Sequence, residues 1–215
     1  MLLFLINAFN VKKLSVNSQI HQQKVCKMTV DKVVVGLAGM PGAGKSVVVV
    51  VAKGSGYGVV VMGDVVREEA EKRRLEPSPK NLGKIMLELR QKEGNSIIAK
   101  RCIPKIENTK ENKVIVDGIR NPSEVEEFKK HFSKFSLIAI QSSPETRFKR
   151  LYRRQRSDDP KNWKIFHERD TRELSVGLGE AITMAEYKIV NEGEKAVVKE
   201  KVKEILKKVE EKWMK

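Results

Sequence analysis

Cysteine is almost missing from the 215 residues: Cys26 and Cys102 are the only two, with no ligand-like spacing between them. A disulfide scaffold and a cysteine zinc site are both excluded as expectations, and a reducing, cytoplasmic setting fits best. Long apolar runs are absent too. None approaches the ~20 residues needed to cross a bilayer, so no membrane partner is expected. Internal repeats do not occur. A chain of this length buries roughly 70% of its unfolded surface, so one domain needs no metal or disulfide staple. Its 40% hydrophobic content, rich in Leu, Ile, Val and Phe, argues against wholesale disorder even with 33% charged residues.

Acidic residues are the scarcer charge, 28 against 43 Lys and Arg, for a net charge of +15. The excess is concentrated. Residues 1–27 hold four lysines and no acid, while residues 147–172 hold ten basic residues against four acids. Such clustering points to a phosphate-rich ligand, a nucleotide or a nucleic acid, unless the run is simply a solvated helix face. The apolar stretch Met1–Phe9 has no preceding positive charge and no small-residue cleavage site, which makes it a poor secretory signal. Residues 1–27 read as a flexible extension, with a basic targeting arm as the sharper alternative, and the folded domain as 28–215.

Short β-branched runs at Val33–Leu37, Tyr57–Met62, Lys113–Val116, Phe135–Gln141 and Glu186–Val190 read as buried strands. Between them lie helical patterns. Ser143-Pro144-Glu145 and Pro122-Ser123-Glu124 are helix starts, Asn81–Gln91 and Ser96–Ile106 are helical by spacing, and Glu194–Trp213 is a long charged helix. This alternation predicts a three-layer α/β architecture: a five-stranded parallel sheet with helices on both faces. Val47–Val51, five valines in succession, reads as strand by propensity. What precedes it overrides propensity.

Gly39-Met40-Pro41-Gly42-Ala43-Gly44-Lys45-Ser46 matches G-x-x-x-x-G-K-[ST] directly after the first strand. In such a loop the glycines let backbone N–H groups turn around an anion, and the following helix adds its partial positive charge. The valines are therefore expected to be helix. Lys45 would reach the β- and γ-phosphates of ATP, and the Ser46 hydroxyl would hold Mg²⁺. Val114-Ile115-Val116-Asp117 is an apolar strand ending in a carboxylate, the expected second Mg²⁺-side group, with Arg120 leaving the same strand end. Gly63-Asp64-Val65-Val66-Arg67 sits at the end of the second strand, where Arg67 can grip a second phosphate. A capping Asp64 with a surface arginine is the plainer reading of that pair. If Pro144 opens a helix, Arg147, Arg150 and Arg154 share one face, and Asp158 and Asp159 can pair with the arginines without ligand. An Arg-rich lid at about 147–172 would close over the triphosphate and exclude water; the same arginines leave nucleic acid open.

The order of these motifs, ending in Arg156-Ser157-Asp158-Asp159, resembles that of adenylate kinase and related nucleotide kinases. The whole looks most like an archaeal, functionally uncharacterised family of adenylate-kinase-related P-loop ATP-binding proteins. Glu186-Tyr187-Lys188-Ile189-Val190-Asn191-Glu192-Gly193 also resembles the late strand and Asn-x-Gly turn of dephospho-coenzyme A kinases, which implies that Asn191 lies near the adenine of the bound nucleotide. The resemblance implies that Asp64, Arg67, Arg120 and Arg169 bind the acceptor and that Asp117 organises Mg²⁺. It further implies that Lys45, Arg150, Arg154 and Arg156 act on the transferring phosphoryl group. Asp117-Gly118-Ile119-Arg120 is one residue shorter than the Asp-Gly-Phe-Pro-Arg of adenylate kinases, and no glutamine is placed to read adenine. The expectation is a nucleotide kinase transferring the ATP γ-phosphoryl group to a small nucleotide-like acceptor. The alternative is a regulatory P-loop ATPase acting on RNA or a ribonucleoprotein. Acceptor identity and oligomeric state are not written in these motifs. Removing residues 1–27 is expected to leave folding and turnover intact; a large fall in melting temperature would show that they pack on the domain.

Overall fold

The computed structural model describes residues 31–156 and 159–214. The expected extension 1–27 and the lid residue Asp158 lie outside the described residues. Strand β1 (Val33–Ala38) leads through the glycine loop into helix α1 (Lys45–Gly54), then β2 (Gly58–Val61) and α2 (Met62–Lys72). Helices α3 (Pro79–Glu93) and α4 (Ile97–Glu107) precede β3 (Lys113–Ile119), followed by α5 (Pro122–His131) and β4 (Phe135–Gln141). Then come α6 (Pro144–Arg154), α7 (Trp163–Ser175), α8 (Leu178–Thr183), β5 (Tyr187–Val190) and α9 (Lys195–Trp213). The Arg-rich segment 147–172 is thus most of α6, a connection through Asp159, and most of α7.

The sheet has order β2-β3-β1-β4-β5, and its strand pairs are all parallel. Period-two alternation sorts the strand residues onto two faces. Val34, Ala38, Val114, Val116, Leu137 and Ala139 join the core beneath α2, α3, α4, α5 and α8. Val35, Leu37, Ile115, Ile138, Ile140 and Ile189 face the other way, onto α1 and α9. The chain runs from β1 out to β2, returns through β3, and crosses to β4 on the other side of β1. The carboxyl end of β1 is therefore where a crevice opens, at the switch point of the strand order.

The five valines are helical, as the loop before them requires. Gly44 caps α1 in the left-handed region at φ 100°, and Val48, Val51 and Ala52 pack into the α1–α9 core. Burial of one face against the sheet outweighs the weak helix preference of β-branched residues. A second irregularity shapes the site. Leu37 pairs with Asp117 but Ala38 pairs with Ile119, so Gly118 is skipped in the β1–β3 ladder. Gly118 has φ 108°, which a side chain rarely adopts, and this bulge re-aims the end of β3 between Asp117 and Arg120.

Phe128 on α5 is fully buried and stacks on Phe135 at 5.9 Å between ring centroids. Phe128→Ala is expected to cost about 3–5 kcal/mol, read as a lower urea midpoint with an unchanged slope.

Candidate active site

The glycines of the loop are dictated by what stands behind it. A Cβ on Gly44 would meet Asn191 Nδ2 at 2.1 Å, one on Gly42 the Arg147 carbonyl at 2.7 Å, and one on Gly39 the Ile140 carbonyl at 2.5 Å. Asn191, at the end of β5, is buried and donates from Nδ2 to Ala43 O at 2.8 Å. Arg150 donates to Ser142 Oγ at 2.9 Å, to Ala43 O at 3.3 Å, and to the Asn191 backbone and side-chain oxygens at 2.9 and 3.1 Å. Arg147 is buried, donates to Pro41 O at 3.2 Å, and is held by both carboxylate oxygens of Asp170 on α7. Breaking such a buried pair costs about 3–5 kcal/mol because one charge is left without compensation. Of the expected lid face, Arg147 and Arg150 therefore grip the back of the loop. Arg154 pairs with Asp159 at 2.5 and 2.9 Å, Asp159 also accepts from the Arg156 backbone N–H, and Arg169 stands 3.9 Å from the same carboxylate. Asp159 thus organises three of the expected lid and acceptor arginines.

Lys45 Nζ donates to Gly39 O at 2.7 Å, so the ammonium folds back onto its own loop. Burial lowers its pKa to about 8; Asp117 pulls it back up, Arg120 adds to the lowering, and Glu173 and Arg169 act with smaller opposing effects. Asp117 is raised from the usual carboxylate range by burial, with Lys45 and Arg120 opposing. Its Oδ1 is buried without a hydrogen-bond partner, while Ser46 is exposed at the start of α1. An orphaned carboxylate oxygen on a residue that acts on Lys45, the neighbour of Ser46, suits Mg²⁺, which keeps several waters and takes one or two protein oxygens plus phosphates. Among the described residues no group of three or more His, Cys, Asp or Glu could form an all-protein cage.

At the Gly118 bulge and Arg120 lies a cavity of about 200 Å³. Its apolar wall includes Met62, Val66, Leu82 and Met86, and five arginines line it: Arg67, Arg90, Arg120, Arg169 and Arg172. Glu124 and Glu173 are the lining carboxylates. Arg67 and Asp64 form a half-exposed pair at 2.6 Å, the plain reading of that motif, yet the arginine also borders the cavity. Arg120 is clasped by both oxygens of Glu173 at 2.8 Å. Arg90, missed in the sequence, is buried, donates to Glu124 at 2.6 Å, and has an Nε with no partner. Glu124 also accepts from the Arg120 backbone N–H at 2.8 Å, which braces the bulge. Asp170 and Glu173 were missed as well, although their spacing of three on a helix puts them on one face.

Lys45 ties affinity to pH. In the free protein it titrates near 8, whereas phosphates beside it would hold it protonated. Nucleotide binding should therefore take up a proton above about pH 8, and affinity should fall by up to tenfold per pH unit there. Without nucleotide, the unfolded chain binds more protons than the folded one between about pH 8 and 10.5, so Lys45 makes stability rise with pH across that window. Calorimetry in two buffers of different ionisation enthalpy at about pH 9 measures the uptake. Lys45→Arg, which stays charged, is expected to flatten the profile; a wild-type affinity unchanged between about pH 7.5 and 9.5 would contradict the assignment.

The AAA domain family model matches residues 38–166. A UPF0200 protein of Methanothermobacter thermautotrophicus is 43% identical over 182 residues, which is 85% of this chain and 93% of that protein. Among solved structures, a shikimate kinase from Bacteroides thetaiotaomicron superposes with a TM-score of 0.54 at 16% identity, covering 81% of this chain and 98% of that one. A gluconokinase from Sinorhizobium meliloti gives 0.50 at 12% identity, covering 83% and 93%. At that identity the likeness is one of fold: the α/β architecture of P-loop kinases. Among the described residues no helix is long and apolar enough to cross a membrane. With the loop Gly39–Ser46 at the centre of such a sheet and an archaeal relative matched along most of both chains, the protein belongs to the UPF0200 family of P-loop proteins.

Proposed function

We propose that the protein is an ATP-dependent phosphotransferase that moves the γ-phosphoryl group to a nucleotide-like acceptor held in the arginine-lined cavity. One observation carries this reading. Of the four charged groups that act on Lys45, Arg120, Glu173 and Arg169 also line that cavity, Asp117 being the exception, which supports reading the loop and the cavity as one site. Water as sole acceptor would need no such pocket.

Gly39–Ser46 would bind the triphosphate, with Lys45 leaving Gly39 O for the phosphate oxygens. Ser46 and Asp117 would hold Mg²⁺, whose chemistry here is charge neutralisation across the phosphates. An acceptor oxygen forms the new bond to the γ-phosphorus as the bond to ADP breaks, so positioning and charge do most of the work. Arg67 and Arg120 would orient the acceptor's phosphate. Arg154, Arg156 and Arg169, gathered by Asp159, would bring charge to the phosphoryl group. Arg150 and Asn191 would serve by holding the loop rigid, since both bind Ala43 O.

The ATPase alternative keeps one observation in its favour. Tyr152 and Trp163, 55% and 46% exposed, stand with Lys149, Arg153 and Lys164 on the α6–α7 surface, a basic and aromatic face of the kind that binds single strands.

Incubation with MgATP and a panel of nucleoside monophosphates and dephospho-coenzyme A separates the two: a kinase forms ADP only with an acceptor. Arg67→Ala is expected to raise the acceptor KM about ten- to a hundredfold and spare ATP binding, the loss of one charge-assisted hydrogen bond. An unaltered acceptor KM would remove Arg67 from the site. If RNA is the partner, Arg67→Ala leaves hydrolysis unchanged and RNA stimulates it with a steep salt dependence.

A further inference from the structure

The clasp on Arg120 stands where an acceptor's anion is expected. Glu173 is nearly fully buried, with its side chain 6% exposed, and both its oxygens accept from Arg120 Nη1 at 2.8 Å, while that arginine is 43% exposed toward the cavity. Arg169 and Arg172 lie within one turn of Glu173 on α7 and line the same cavity, as does Arg67 from α2. Around the pair, five arginines and two carboxylates line the cavity, with Asp64 on Arg67 and Asp159 near Arg169 outside the lining. Because Glu124 is committed to Arg90 and to the Arg120 backbone, Glu173 is the carboxylate that answers the Arg120 guanidinium.

We propose that Glu173 is a built-in substrate mimic that restricts the acceptor anion to a phosphate dianion and excludes simple carboxylates. This deepens the kinase reading and rests on it for the name of acceptor. The physical basis is an exchange. A carboxylate ligand that displaced Glu173 would replace one carboxylate–arginine pair with another of the same charge, and would leave Glu173 buried without its partner. It gains nothing. A phosphate dianion brings a second charge and a third oxygen, which the neighbouring arginines can meet while Arg120 is still shared. A monoanionic carboxylate has too little charge and too few oxygens to engage those arginines and share Arg120 at the same time. As Glu173 shares α7 with Asp170, which holds the Arg147 grip on Pro41, an acceptor that pushes Glu173 aside also loads the helix that supports the loop.

The test separates anion choice from turnover. The full chain is saturated with a non-hydrolysable MgATP analogue, so the glycine loop is filled, and titrated with inorganic phosphate and in parallel with acetate. The wild type is expected to bind phosphate and to bind acetate at least tenfold more weakly. Glu173→Gln, which keeps the shape and removes the competing charge, is expected to bind phosphate about tenfold tighter and to gain still more for acetate. Glu173→Asp, with a shorter reach, is expected to fall between. Adding Arg120→Ala to Glu173→Gln should cancel the gain, which shows that it runs through that arginine. Equal or weaker phosphate binding by Glu173→Gln, with its melting temperature preserved, overturns the proposal by making Glu173 a support for Arg120. Equal affinity of the wild type for acetate and phosphate overturns it too. If these results hold yet no acceptor yields ADP, the mimic stands and the kinase reading falls.

Discussion

Pro41 and Ala43 hold the main-chain carbonyls on which the site depends. A loop whose N–H groups converge on an anion must send carbonyls the other way, into the protein, where each needs a donor. Here Arg147 supplies Pro41 O, while Asn191 and Arg150 supply Ala43 O. The donors come from α6 and the end of β5, elements that follow the loop by about a hundred residues or more. The anion site therefore exists only once β4 and β5 have paired and α6 has docked. That order makes the loop's shape a property of the whole sheet, and it explains why Gly42 and Gly44 admit no side chain: the space is taken by the groups that fix them.

Helix α7 carries the consequences outward. Asp170 fixes Arg147 from one turn, Glu173 fixes Arg120 from the next, and Arg169, just before Asp170, stands near Asp159. One rigid rod thus touches the back of the phosphate loop and the floor of the neighbouring cavity. Besides the Asp170–Arg147 pair, an aromatic seam attaches it to α6: Phe148, Trp163 and Phe166 form a cluster with centroids 5.0–5.5 Å apart, and the Arg147 guanidinium lies over Phe166 at 4.9 Å. An aromatic seam tolerates small rotations better than a buried ion pair does, because its attraction is spread over ring faces. Movement of α7 is thus limited by its two acidic anchors more than by the seam.

The parts readable from sequence were those with local causes. The central strands β1 and β4 announced themselves because both faces are buried, so they read as apolar runs, and Pro at the first turn marked α5 and α6. Gly39–Ser46 was legible because the demand for left-handed backbone leaves few residue choices. It was also strong enough to turn five valines into helix. Arg150 and Asn191 were expected as site residues, but their contacts with Ala43 O were not legible, since a contact between positions 43 and 191 has no local signature. Arg90, Glu124 and Glu173 left less trace, because a buried ion pair between distant helices reads in each segment as an ordinary polar position. The spacing of Asp170 and Glu173 on α7 was the available clue, set among arginines that dominate the charge of the segment.

Those arginines divide into two populations that a net charge cannot distinguish. Arg147 and Arg150 are spent on backbone carbonyls and buried partners, and Arg154 on Asp159. Their charges are offset or turned inward and contribute little to the outer field. Lys149, Arg153, Arg156, Lys161 and Lys164 remain on the exposed side of the same segment. Within a Debye length of about 8 Å at physiological salt, that set acts on an arriving polyanion before any hydrogen bond forms. The sequence excess of six charges over residues 147–172 therefore conflates a scaffold with a steering surface. Grip on the loop is made of short, buried contacts that salt cannot screen, and encounter is made of exposed charges that it can. Salt should accordingly slow nucleotide association far more than it loosens the bound state.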